Sequence, residues 1–315
     1  MEEGTRRAVV AAFLANLGIA VAKLLSFAVT GSPSMLAESF HSAADTGNQA
    51  LLFLGSRKAR RRPTPRHPFG FGQERYFWAF VVALVLFSLG SLFAINEGIS
   101  KLRHPSEMES HLWAYGVLGI AVVLESLSLR TAYREARHEK MANEGWWTFI
   151  RRSTTPEVPV VMLEDTGALL GLMLALAGVT TAQITGNPRF DALGSLGIGV
   201  LLGVIAVFLA VEMKSLLIGE SASPAVISRI QSALSTAPMV RRIIHLRTLH
   251  LGPDELLVAA KLEFDATISF RELAEAIDGA ERRVRATVPT ARVIYIEPDR
   301  YHGPTAMTVS GSGHI

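Results

Sequence analysis

Apolar residues dominate six stretches of the chain, at 8–30, 34–56, 76–100, 114–133, 158–180 and 190–217. About 20 such residues in helical form cover the hydrocarbon core of a bilayer, about 30 Å thick. Backbone amides find no water there, so each stretch is expected to be a transmembrane helix. Gly31-Ser32-Pro33 allows only a tight turn between the first two, which makes them an antiparallel hairpin. After position 217 the pattern becomes that of a soluble domain. Residues 225–235 read as an amphipathic helix, 243–249 and 256–264 as strands, and 270–287 as a helix with Leu273, Ile277 and Val284 at helical spacing. Residues 291–296 read as a last strand, stopped by Pro298. The expected fold is an α-helical membrane protein: six transmembrane helices over 1–217, then a cytoplasmic α+β (αββαβ) domain over 218–300. The Gly/Ser-rich stretch 301–315 reads as a disordered tail.

Composition agrees with this division. Hydrophobic residues make up 49% of the 315 and charged residues 19%, below the usual soluble share. There is no cysteine, so neither a disulfide nor a thiolate metal site is available. A net charge of +3 is mild and by itself says nothing about nucleic acid, and no nucleic-acid partner is expected. The basic residues are placed unevenly. Arg57, Lys58, Arg60, Arg61, Arg62, Arg66 and Arg75 crowd the connection after the second stretch, and Arg130, Arg134, Arg137, Lys140, Arg151 and Arg152 the one after the fourth. The positive-inside rule therefore puts both termini in the cytoplasm. The first residues, with Glu2 and Glu3, lack transit-peptide character, which favours a plasma membrane, bacterial in kind, as the host. No nucleophile elbow, phosphate loop or zinc-protease motif is present, so neither an enzyme nor a prosthetic group is expected.

The polar residues inside the spans carry the chemistry. An ionisable group in a bilayer is costly unless paired or hydrated, so each is a functional candidate. Glu38, His41, Asp45 and Asn48 recur at spacings that keep them near one face of the second helix. His41-x-x-x-Asp45 presents an imidazole and a carboxylate one turn apart. In the fifth stretch Glu164 and Asp165 stand about two turns into an apolar helix. A mixed His and carboxylate set suits Zn²⁺, and also Mn²⁺, Fe²⁺ or Co²⁺. Asn16 reads as an interhelical hydrogen-bonding residue, Glu97 as lying near an interface, and Glu125 as the partner of a basic residue. The Gly-rich run 194–203 reads as a helix-packing surface.

These residues resemble the cation diffusion facilitators, over nearly the whole chain. The segments Ala37-Glu38-Ser39-Phe40-His41-Ser42-Ala43-Ala44-Asp45, His67-Pro68-Phe69-Gly70-Phe71-Gly72 and Leu163-Glu164-Asp165-Thr166 resemble the branch that includes the animal mitochondrial-type zinc transporter. The resemblance implies a homodimer in the lipid bilayer that exchanges Zn²⁺, or a similar divalent ion, for protons. It implies His41, Asp45 and Asp165 as metal ligands, with Glu164 or Glu38 completing the set. Val161 departs from the pattern, since many members carry His or Asp four residues before that carboxylate. Thr64 and Phe71 argue against a loop metal site. Ile244, Lys261 and Ile296 occupy expected ligand positions of the C-terminal domain, so a dimer without a structural metal cluster is expected there. His245 and His250 fall on opposite strand faces, and His302 and His314 lie in the tail. The competing readings are transport of Mn²⁺, Fe²⁺ or Co²⁺, and a membrane scaffold or sensor with a degenerate site.

Overall fold

The computed structural model describes residues 33–104, 111–140 and 144–301, with positions 13, 17–18, 20–21, 24–25 and 28. The side chains of 33–42, 44–45, 111–114, 117 and 139 fall outside the described set. Most of the expected first span and the tail 302–315 lie outside it as well, with Asn16, His302 and His314. The chain divides into two compact units, Met1–Ile218 and Gly219–Ile315.

The first unit is helical. Helix α1 is Pro33–Ala59, with proline at a position where a missing N–H costs nothing. Helix α2 runs Glu74–Arg103 and contains one wide-turn segment, Leu86–Leu92. Helix α3 is His111–Glu139 and α4 the short Trp146–Arg152. Helix α5 is Glu157–Thr185; Pro159 sits in its first turn, where backbone donors lack intrahelical acceptors anyway. Gly186, at φ 65°, ends α5 in the left-handed conformation that favours glycine. Asn187 Oδ1 then accepts from Arg189 N at 3.1 Å, and α6 runs Arg189–Ile218. Among the described residues α2, α5 and α6 are long and apolar enough to cross a membrane.

The exterior differs from that of a water-soluble bundle. Leu89, Ile120, Val123, Met173, Val200 and Val204 are more than half exposed, while Asn48, Ser91, Arg75 and Asp165 are buried. An apolar exterior around an apolar core that encloses a few polar groups suits lipid as the solvent. The helices meet through small residues. Ser91 Oγ donates to Gly199 O at 2.7 Å, and a Cβ on Gly199 would stand 2.6 Å from Ile95 Cγ1. Gly178 and Gly194 bring α5 and α6 together in the same way. The run 194–203 is thus the packing surface its composition suggests.

The second unit follows the order α7 (Pro224–Ser235), β1 (Val240–Gly252), β2 (Glu255–Phe264), α8 (Phe270–Thr287), β3 (Ala291–Pro298). The sheet order is β1-β2-β3, with β1 antiparallel and β3 parallel to β2. Strand alternation buries Leu256, Val258, Ala260 and Leu262 in a core with Ile230, Leu234, Ala280 and Val284 of the two helices. Ser223 caps α7, and Ser269 with Glu272 forms a reciprocal capping box on α8. β1 is longer than the expected 243–249 because bulges absorb register shifts near both ends. His245 pairs across from Lys261 and His250 across from Leu256, so the two histidines do take opposite faces. His250 N donates to Glu220 O at 2.9 Å, and burial lowers the imidazole pKa below its ordinary 6.5.

Candidate metal centre

Helices α1, α3 and α5 meet at a polar layer inside the first unit. On α5, Glu164 and Asp165 are adjacent, so they point to different neighbours, about 100° apart. Asn48 of α1 donates through Nδ2 to Glu164 Oε1 at 2.7 Å. Ser128 of α3 donates through Oγ to Asp165 Oδ2 at 2.8 Å, and Asp165 is only 7% exposed. Asn48 is 2% exposed, and its Oδ1, like Gln49 Oε1, is buried without a donor among the described residues. Among the described residues the layer therefore offers more acceptors than donors. Unpaired buried acceptors beside two carboxylates are what a desolvated cation requires.

Asn48 is the last member of the stripe that begins with Glu38, His41 and Asp45. Those three belong to the α1 backbone, but their side chains lie outside the described residues. Among the described residues no three His, Asp or Glu side chains gather at one point. Val161, one turn before Asp165, packs against the apolar cluster around Leu52, Tyr76 and Leu202 and supplies no donor.

A second polar layer lies two turns earlier on α5. Arg75, in the first turn of α2, grips Glu157 with Nε to Oε1 at 2.6 Å and Nη2 to Oε2 at 2.7 Å. This corrects the reading of Arg75 as one more topology charge: it is 9% exposed and bidentate. At the other end of α2, Lys101 Nζ is 3.2 Å from Asp191 Oδ2 on α6 and 3.8 Å from Glu97. Glu97 is therefore a pairing residue. Sequence reasoning missed Ser128, Glu157 and Asp191. Ser128 lies three residues after Glu125, a helical spacing that carried a signal, whereas the Arg75–Glu157 pair spans 82 positions and leaves none.

In the second unit Lys261, at an expected ligand position, places its ammonium 3.0 Å from Asp299 Oδ2 and 3.1 Å from Glu297 Oε1. Hydrogen bonds to Asp299 and then Glu297 raise its pKa. An organic cation thus sits between two carboxylates where β2 pairs with β3.

The model of the cation efflux transmembrane domain matches residues 9–218, and that of the cation efflux protein cytoplasmic domain matches 222–300. The proton-coupled zinc antiporter SLC30A9, mitochondrial, of Mus musculus is 37% identical over 257 residues, covering 81% of this chain and 45% of that protein. Metal tolerance protein C4 of Arabidopsis thaliana is 31% identical over 84% of this chain and 58% of its own length. Magnetosome protein MamB of Magnetospirillum gryphiswaldense is 22% identical over 95% and 94% of the two chains. The chain thus spans under half the length of the SLC30A9 protein it matches. A solved MamM-CTD variant aligns at 23% identity over 24% of this chain and 92% of that one, with a TM-score of 0.23, too low to carry an argument. Two matched domains over nearly the whole sequence, on a helical unit with a buried carboxylate layer, lead to one conclusion: the chain belongs to the cation efflux (cation diffusion facilitator) family, multi-pass membrane transporters whose metal ion is cargo rather than prosthetic group and which are not enzymes.

Proposed function

We propose that this protein is a secondary transporter that moves divalent metal ions, Zn²⁺ first among them, out of the cytoplasm in exchange for protons. Six helices over residues 1–217 would cross the membrane with both termini cytoplasmic. Residues 218–300 would form the cytoplasmic dimerisation domain, followed by the tail 301–315, and the working unit would be a homodimer in a bacterial-type plasma membrane. The observation that carries this reading is the acceptor-rich layer in which α1 reaches α5 through Asn48 and Glu164, beside buried Asp165.

In this reading His41, Asp45 and Asp165 hold the ion, and Glu164 or Glu38 completes the set in place of Val161. Metal ligands must be deprotonated, so protons arriving from the far side compete with the ion and release it. An imidazole is the member that titrates near neutral pH. Asn48 and Ser128 do not need to touch the metal. They orient Glu164 and Asp165, as partners behind a ligand commonly do. Net transport further requires that the inward- and outward-facing states differ in metal affinity. The oxygen donors of the described layer favour a second reading in which a harder ion, Mn²⁺ or Fe²⁺ (or Co²⁺), is the cargo.

The test is ion uptake into proteoliposomes with and without an imposed pH gradient, screening Zn²⁺, Mn²⁺, Fe²⁺ and Co²⁺. Gradient-driven flux of one ion is expected for wild type and none for Asp45→Ala or Asp165→Asn. Flux persisting in both variants would remove the site assignment. No flux of any ion by folded wild-type protein would favour the scaffold or sensor.

A further inference from the structure

The ion-pair pattern leaves one strongly charged element that transport does not use. Between positions 57 and 75 the chain carries seven Lys and Arg residues against one acid, Glu74. Two of the seven are accounted for. Lys58 lies 3.9 Å from Glu74 and 4.7 Å from the Trp78 ring centroid, and Arg75 is locked to Glu157. Arg57, Arg60, Arg61, Arg62 and Arg66 are all exposed, with no carboxylate in pairing range among the described residues.

The loop that presents them is a built structure. Thr64 N donates to His67 O at 3.1 Å and His67 N to Thr64 O at 2.9 Å, closing a tight turn. Pro63, Pro65 and Pro68 stiffen the flanks. Gly70, at φ 80°, lets its N–H reach His67 O, and the His67 and Phe71 rings lie 4.6 Å apart. Arg57 lies in the last turn of α1, Arg61 N donates to Lys58 O just past it, and Arg66 lies within the Thr64–His67 turn, so little backbone entropy is lost when these residues bind.

The loop runs directly into α2, a helix long and apolar enough to cross the bilayer. Exposed aromatic rings mark the same end of the unit: Phe69 and Phe77 beside the loop, and Trp147 just ahead of α5, whose Glu157 accepts from Arg75 of α2. Aromatic rings at that level belong to the headgroup region. An unpaired guanidinium there matches a phosphate in charge and in its forked geometry. We propose that the loop of residues 57–66 binds anionic phospholipid headgroups and gives the protein a preference for acidic lipid.

The proposal rests on the membrane placement of the helices and not on the identity of the cargo, so its test contains no metal. The full chain is reconstituted in phosphatidylcholine with 30 mol% phosphatidylglycerol as the probe, re-extracted in mild detergent, and the retained lipids are quantified. Wild type should retain phosphatidylglycerol at least about fivefold above the bulk ratio, roughly the effect of one arginine near an acidic surface. Arg60→Gln/Arg61→Gln/Arg62→Gln/Arg66→Gln should return the ratio to bulk. The milder Arg62→Gln/Arg66→Gln, at the tip of the turn, should fall between, which keeps the test valid if the fourfold variant misfolds. A bulk ratio in wild type would mean that the arginines act as topology signals only. Equal enrichment in wild type and the double variant would also overturn the proposal.

Discussion

Asn48 holds one of its two functional ends on Glu164 and leaves the other without a donor among the described residues. Asn48→Ala removes its hydrogen bond to the Glu164 carboxylate, at a cost of about 1–3 kcal/mol. Calorimetric titration of the purified full chain should show metal affinity weakened about 5- to 100-fold, the binding equivalent of that cost. Unchanged affinity would remove Asn48 from the site. Two titrating residues of the second unit set a different pair of expectations. His250 has its pKa lowered by burial, so the fold favours the neutral ring. Its contribution is complete above pH 6.5 and is lost as pH falls below that value, because the unfolded state then binds the extra proton. The Asp265 carboxyl is held at about 2 by the Thr267 amide and hydroxyl and by Arg241. Its contribution is complete above pH 3.8 and is lost only as pH falls toward 2. Amide-exchange protection of the full chain, with the base-catalysed intrinsic rate divided out, should therefore fall from pH 7 to 5 around Glu220 and His250 but not around Asp265. His250→Gln should abolish that difference.

Helix pairs are fixed by a few contacts each. The Arg75–Glu157 fork ties the start of α2 to the start of α5, and breaking one side leaves a largely buried charge. Arg75→Gln or Glu157→Gln alone should cost about 3 kcal/mol, the lower end for buried pairs, while the double variant should recover much of that loss. Thermal unfolding in detergent reads this directly, and a double-variant loss equal to the sum of the two single losses would show that the pair carries no coupling. The α2–α6 seam is as tight in another sense. Gly199→Val would drive a side chain into Ile95 and the Ser91 carbonyl, with about 1–3 kcal/mol of overpacking. Loss of stability in that variant, but not in Gly116→Ala, where a Cβ meets nothing within 4 Å, checks the packing account. Both features were only half visible in the sequence. The run 194–203 announced close packing because small residues in an apolar helix have little other use. Arg75 looked like its basic neighbours, because nothing local distinguishes a guanidinium that will meet a carboxylate 82 residues away.

For the whole molecule, exchange against protons predicts that an opposed pH gradient reverses the direction of metal flux in proteoliposomes. Flux indifferent to the gradient would leave a carrier without proton coupling. The broad plan was legible beforehand because each part rests on a local signal. Long apolar runs exclude water-soluble helices, and period-two and period-3.6 patterns after position 217 separate the strands from the helices of the C-terminal unit. Asn48, Glu164 and Asp165 also stood out in advance as polar positions, since a polar group in an apolar helix is too costly to be incidental. Which partners those groups take was settled by three-dimensional packing alone. Asn48 goes to Glu164, Ser128 to Asp165, Arg75 to Glu157 and Lys261 to the carboxylates of Glu297 and Asp299. Periodicity reports which face of an element is polar, but a hydrogen bond depends on how distant elements are brought within about 3 Å of each other, and the pattern along a single element does not encode that.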